Sequence, residues 1–386
     1  MIPYGRQDIT QSDIDAVVAV LQSDFLTQGP MVPRFEQAVA QKVGTQYGVA
    51  VNSATSALHI ACLALGLGPG DRLWTSPNTF VASANCALYC GASVDFVDID
   101  PRTYNLDIKA LSAKLEEAER AGALPKVVVP VHYAGQACDM QSIAALSTRY
   151  GFRVIEDASH AIGASYRGEP VGNCRYSDIT VFSFHPVKII TTGEGGMALT
   201  NDPELTNRLQ RHRSHGITSD GADMHPRPAD EIWNYQQIKL GFNYRMTDIH
   251  AALGLSQLTR LDEFVARRHA IARRYDEQLA GFPLRTPWQH PDTHSSYHLY
   301  PIRLNLGAIR KTQRQVYDAL RAAGILVNLH YIPVHRQPYF EALGFQPGYC
   351  PEAEQLHREI LSIPMYAGLT DGQQHQVISV IKGILA

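Results

Sequence analysis

Ile179-Thr180-Val181-Phe182-Ser183-Phe184-His185-Pro186-Val187-Lys188 passes from β-branched and aromatic residues to a serine, a His-Pro pair and a lysine, and Gly193-Glu194-Gly195-Gly196 follows. Its first six residues predict a strand that delivers Ser183 and Lys188 to its C-terminal end. The glycines let the backbone turn back tightly. One strand earlier, Arg153-Val154-Ile155-Glu156 is a short apolar run leading into Asp157-Ala158-Ser159-His160, the pattern of a buried strand that ends at a site. Ligands in open α/β sheets gather beyond the carboxyl ends of the strands. Asp157, Ser183 and Lys188 are therefore expected on one rim.

Working outward, strand and helix signals alternate. Leu73-Trp74-Thr75, Val94-Asp95-Phe96-Val97 and Lys126-Val127-Val128-Val129 read as strands, separated by helices around 82–88 and 106–118. This alternation predicts an α/β/α domain with a mostly parallel sheet. Ser12 is expected to open an amphipathic helix with Ile14, Val17, Val18 and Leu21 on one side. A long helical stretch from about Thr247 through Leu258, Leu261, Phe264 and Ile271 predicts a connector into a smaller α/β domain. That domain should hold a strand at 299–304 and helices at 313–323 and 371–385. The expected division is 1–246 for the N-terminal segment and large domain, and 247–386 for connector and small domain. No low-complexity linker or repeat separates them.

Upstream, Val51-Asn52-Ser53-Ala54-Thr55-Ser56-Ala57-Leu58 reads as a helix start, with Gly66, Gly68 and Pro69 as its stop. Unpaired amides at Ala54, Thr55 and Ser56, at the positive end of the helix, suit a phosphate. A Ser/Thr cap alone is common, as is a solvated lysine after a strand. An acid at one strand end, a serine and a lysine after another, and a phosphate-binding helix start are rarer together. They match pyridoxal phosphate, an aldehyde that needs a lysine for its Schiff base, an acid at its pyridine nitrogen and donors for its phosphate.

The remaining composition excludes other classes. The chain has 386 residues, 45% hydrophobic and 18% charged, with a formal net charge of -3. That length can bury a large core, and the charge provides no basic field for nucleic acid. The basic cluster Arg208, Arg211 and Arg213 is expected to be a solvated helix face. Cys62, Cys86, Cys90, Cys138, Cys174 and Cys350 show neither a paired framework nor metal spacing and read as buried, reduced thiols, so no metal is expected. Neither a signal peptide nor a membrane-length apolar run is present, which predicts a cytoplasmic protein.

These motifs, in this order and over nearly the whole chain, resemble the sugar-nucleotide aminotransferases, fold-type I pyridoxal phosphate enzymes. The resemblance implies that Lys188 is the Schiff-base lysine, Asp157 the pyridine-nitrogen partner, and Ser183 with Ala54, Thr55 and Ser56 the phosphate-binding set. It implies Phe80 as the ring-stacking aromatic and His160 on the side of the cofactor's hydroxyl. Asn243, in Gly241-Phe242-Asn243-Tyr244-Arg245-Met246, resembles an asparagine that reaches the phosphate from a second subunit, which implies a homodimer.

Phe184 to Thr192, Arg213-Ser214-His215-Gly216-Ile217 and Asp248 to Leu258 are similar to the branch of the family that serves pseudaminic acid biosynthesis. That likeness implies transfer of an amino group from L-glutamate to C4 of a UDP-linked 4-keto-6-deoxy-N-acetyl-β-L-altrosamine. It extends to substrate-contacting segments at Tyr4, at Phe25, Leu26 and Thr27, and at Asn328, His330 and Tyr331. Two other readings stay open: a different UDP-4-keto sugar, pentose or hexose, or a pyridoxal phosphate lyase, since Lys188 and Asp157 serve any reaction through an α-carbanion. A non-catalytic relative that retains the fold would not need the full Lys188, Asp157 and Ser183 set.

Overall fold

The computed structural model describes residues 1–226, 228, 230–231 and 235–386. Seven strands make the central sheet: β1 (Tyr47–Val51), β2 (Arg72–Thr75), β3 (Ser93–Phe96), β4 (Val127–Val129), β5 (Arg153–Asp157), β6 (Ile179–Ser183) and β7 (Gly196–Thr200). Their order is β1-β7-β6-β5-β4-β2-β3. All neighbouring pairs are parallel except those of β7, which runs antiparallel to both β6 and β1. The central strands are mostly apolar because both faces are covered. On one face Val128, Val154 and Phe182 pack with Phe35, Leu111 and Ile143 from helices. On the other, Val127, Ile155 and Val181 pack with Leu58, Cys62 and Leu209. Truncating a side chain as deep as Phe182 costs about 3–5 kcal/mol.

A second, antiparallel sheet holds β8 (Leu284–Arg285), β9 (Tyr300–Leu304) and β10 (Ile360–Ile363). Its core takes Val316 and Leu320 from the helix Gln313–Ala322, and Val377 and Ile381 from the helix Asp371–Leu385. The chain start also belongs here. Ile2 N donates to the Gly324 carbonyl at 2.8 Å, and Met365 N donates to the Tyr4 carbonyl at 2.9 Å.

Three local expectations need correction. The first helix, Gln11–Leu21, is capped by Thr10 rather than opened by Ser12. Its inward residue is Asp13, fully buried, because Ser256, Gln257 and Arg260 all donate to it; Ile14, Val18 and Leu21 face out and are exposed. The connector is two helices, Asp248–Leu258 and Leu261–Leu279, interrupted at Thr259 and Arg260, where Arg260 turns to pair with Asp8 and Asp13. The basic cluster is a solvated face only at Arg208, which pairs with exposed Glu204: Arg213 pairs with the largely buried Glu36 at 2.6 Å, and Arg211 pairs with Asp223. All six cysteines are free and buried. No group of metal-ligating side chains occurs, and no helix is long and apolar enough to cross a membrane, both among the described residues.

Candidate active site

One cavity of about 840 Å³ opens at the carboxyl ends of β5 and β6, and His298, Asn328, Leu329, His330 and Tyr331, near the second sheet in sequence, also line it. Its floor is Lys188. Gly193, at φ +85°, turns the chain back toward β7. Gly195 and Gly196 serve close approach instead, since a Cβ on Gly196 would lie 2.5 Å from the Ala54 nitrogen. β7 therefore passes directly beneath the start of the helix Ala54–Ala64. Burial pushes the Lys188 amine down to about 8, against the pull of Asp157, which favours its charge.

Asp157 ends β5 and is buried. Ser83 Oγ donates to its Oδ2 at 2.6 Å and Ser159 N donates to its Oδ1 at 3.1 Å. Ser83 is itself held by Thr79 at 2.7 Å. Opposite stands the helix Ala54–Ala64, whose cap Ser53 accepts from the Ser56 amide at 3.1 Å. Of the three amides expected to face an anion, Ser56 is thus engaged, while those of Ala54 and Thr55 have no partner among the described residues. Ser183, buried at the end of β6, and Phe80, which is 60% exposed, complete this side.

The far wall comes from the second domain and the chain start: Tyr4, Asn328, His330, Tyr331 and His298. His330 Nδ1 lies 2.9 Å from Ser362 Oγ, and burial beside Lys188 pushes its pKa down to about 3. His160 and His298 are driven well below the usual imidazole range by burial, with Lys188 adding to it. Three neutral imidazoles therefore line the wall. His298 Nδ1 is buried without a partner among the described residues, and Arg268 donates to the carbonyls of Tyr297, His298 and Met365 at 3.0, 3.2 and 3.0 Å.

The cavity gathers twelve of the sixteen residues singled out in the sequence. Phe25, Leu26, Thr27 and Asn243 do not line it; all four are exposed. The segment that holds the first three is tied to the start of the helix Asp248–Leu258: Thr27 bridges to Thr247, Asp248 N donates to the Leu26 carbonyl, and Asp248 accepts from the amides of Gly29 and Met31, both at 2.7 Å, while Asn243 bridges to Ser214. Sequence reasoning missed Ser83, His298 and Arg268. Their partners lie across the fold, and no local pattern marks them. His185 lines the mouth, exposed, 4.0 Å from Glu194. Chemically the cavity offers an amine that is neutral near pH 8, a buried carboxylate beside it and a helix start ready for an anion.

Comparison with known proteins gives this geometry a context. The profile of the DegT/DnrJ/EryC1/StrS aminotransferase family matches residues 7–382. A Campylobacter jejuni protein named UDP-4-amino-4,6-dideoxy-N-acetyl-beta-L-altrosamine transaminase is 38% identical over 95% of this chain and 93% of its own. The spore coat polysaccharide biosynthesis protein SpsC of Bacillus subtilis is 37% identical over 100% and 97%. Among solved structures, Helicobacter pylori PseC, described as an aminotransferase involved in the biosynthesis of pseudoaminic acid, superimposes with a TM-score of 0.89 at 29% identity, covering 100% of this chain and 99% of that one.

Proposed function

The chain belongs to the DegT/DnrJ/EryC1/StrS aminotransferase family, and on that premise we propose that it moves an amino group from L-glutamate to C4 of a UDP-linked 4-keto-6-deoxy-N-acetyl-β-L-altrosamine. The observation that carries this reading is Lys188, lowered toward neutrality, between Asp157 and the two free amides of Ala54 and Thr55. The family is pyridoxal-phosphate-dependent in general, and the donor set fits that cofactor. Lys188 would take the aldehyde carbon, Asp157 the pyridine nitrogen, Phe80 the ring face, and Ala54, Thr55 and Ser183 the phosphate. Bound there, the cofactor supplies an electron sink and a carrier for nitrogen. A cavity of this volume holds it together with a sugar.

Lys188 has two duties. Its amine would anchor the cofactor, and as a free base in the same cavity it is the group able to hold and return a proton, a contribution of roughly 10²- to 10⁴-fold. Asp157 keeps a cation at the ring nitrogen favourable, worth about 4 kcal/mol at 4 Å and an effective dielectric near 20. Ser83 and the Ser159 amide fix the carboxylate for that role. The neutral imidazoles of the far wall add no charge to compete with the ammonium of Lys188.

The exposed stripe of Ile14, Val18 and Leu21, continued by Phe25 and Leu26, is apolar surface that a second copy would cover. In such a homodimer Phe25, Leu26, Thr27 and Asn243 would reach the partner's cavity rather than their own. Sedimentation should return twice the 42.7 kDa chain mass; a stable monomer would remove this element. Activity is tested on protein loaded with pyridoxal phosphate. L-Glutamate should bleach the visible band, and the UDP-4-keto-6-deoxy-altrosamine should restore it. Restoration only by a keto-pentose or another 4-keto-hexose would reassign the acceptor, and a band that glutamate never bleaches would favour a lyase.

A further inference from the structure

His160 reveals the direction in which a neighbouring hydroxyl points. The Ala134 N–H donates to His160 Nδ1 at 3.3 Å, and a ring nitrogen that accepts carries no proton. The one proton of this neutral ring is therefore on Nε2. Nε2 lies 3.1 Å from the Tyr331 hydroxyl, so Nε2–H donates and the tyrosine oxygen accepts. The hydrogen of Tyr331 must then point elsewhere. No other group among the described residues takes it, and Tyr331 lines the cavity with Lys188.

The arrangement resists reversal. A flipped imidazole would lose the Ala134 bond, and His298 packs against the ring with centroids 4.3 Å apart. His298 is in turn fixed through its main chain by Arg268, while the Ser296 hydroxyl donates to the His160 carbonyl at 2.8 Å. Tyr331 is anchored separately, its carbonyl 3.1 Å from His357 Nδ1.

We infer that Tyr331 is a dedicated hydrogen-bond donor into the cavity, that His160 is the positioning residue which enforces this polarity, and that the ligand atom it meets is an oxygen that accepts through a lone pair. This deepens the aminotransferase reading and rests on it. Of the ligand oxygens that can accept such a bond, two bear on the reaction: the carbonyl of the keto sugar and the ring oxygen of the cofactor. With the sugar carbonyl as partner, the site distinguishes ketone from product, because the product's ammonium has no lone pair to accept the bond.

Tyr331→Phe removes the donor and keeps the ring. If the partner is the sugar carbonyl, KM for the keto sugar rises about tenfold, affinity for the amino sugar changes less than about twofold, and the visible band of the loaded protein and its pH titration stay in place. If the partner is the cofactor oxygen, that titration shifts by about one pH unit without any substrate present. Either result supports the donor assignment. An unchanged titration together with an unchanged keto-sugar KM overturns it. His160→Leu added to Tyr331→Phe should cost less than about a further twofold, since His160 acts through the hydroxyl; full additivity would remove its positioning role. Bleaching of wild-type protein by glutamate reads the aminotransferase assignment separately, and the cofactor titration reads Tyr331 whichever amino donor is used.

Discussion

The two sides of the cavity are built by different means. On the sheet side, each group sits where a local run of sequence ends: Asp157 closes β5, Ser183 closes β6, and Ala54 and Thr55 open a helix. On the second-domain side, Tyr331, His330 and His298 are placed by long-range bonds. The Tyr133 hydroxyl donates to the His330 carbonyl at 2.6 Å, and Arg268 holds three carbonyls at once. The first side carries charge and a reactive amine; the second presents neutral, fixed hydrogen-bonding groups. On the function proposed above, chemistry and recognition fall to opposite walls, and substitutions on each should fail differently.

The largest effect is expected on the sheet side. Lys188→Ala should lower turnover by at least about 10⁴-fold and abolish the visible band of the loaded protein; measurable transamination would contradict the division of labour. Next, Asp157→Ala should reduce kcat by about 10³-fold, the equivalent of about 4 kcal/mol, while cofactor affinity measured by dialysis falls far less. A normal kcat would remove its role.

On the other wall, Arg268→Met should act through structure. Three buried carbonyls lose their donor, at a cost partly offset because the lone guanidinium was itself expensive to bury. Urea unfolding should show a loss of about 2 kcal/mol, with KM for the sugar rising more than kcat falls. A pure kcat defect would place this arginine in the chemistry. The smallest effect is one of pH. The Lys188 amine, with its pKa lowered to about 8, is free above that value and protonated below it. Capture of pyridoxal phosphate by the apoprotein should therefore quicken by about tenfold per pH unit well below 8 and flatten above it. A rate still climbing at pH 10 would mean an unshifted lysine.

The same contrast explains how much was readable beforehand. Strand ends and helix starts are local: apolar runs placed β5 and β6 almost to the residue, and Asp371–Leu385 matched its expected helix. Partnerships across the fold are not local. Ser83 meets Asp157 across 74 residues, Arg268 meets Met365 across 97, and Tyr331 meets His160 across 171. No spacing rule reaches that far. The inward side of the first helix was illegible for a related reason, since Asp13 finds its partners in the helix Asp248–Leu258 and at Arg260.

The most direct test follows the nitrogen itself. Protein loaded with pyridoxal phosphate would be given L-glutamate carrying isotopically labelled nitrogen and the UDP-4-keto-6-deoxy-altrosamine, and the sugar analysed by mass spectrometry and NMR. The account predicts label at C4 of the sugar nucleotide with release of 2-oxoglutarate, and none with Lys188→Ala. Consumption of either substrate without label at that carbon would contradict it.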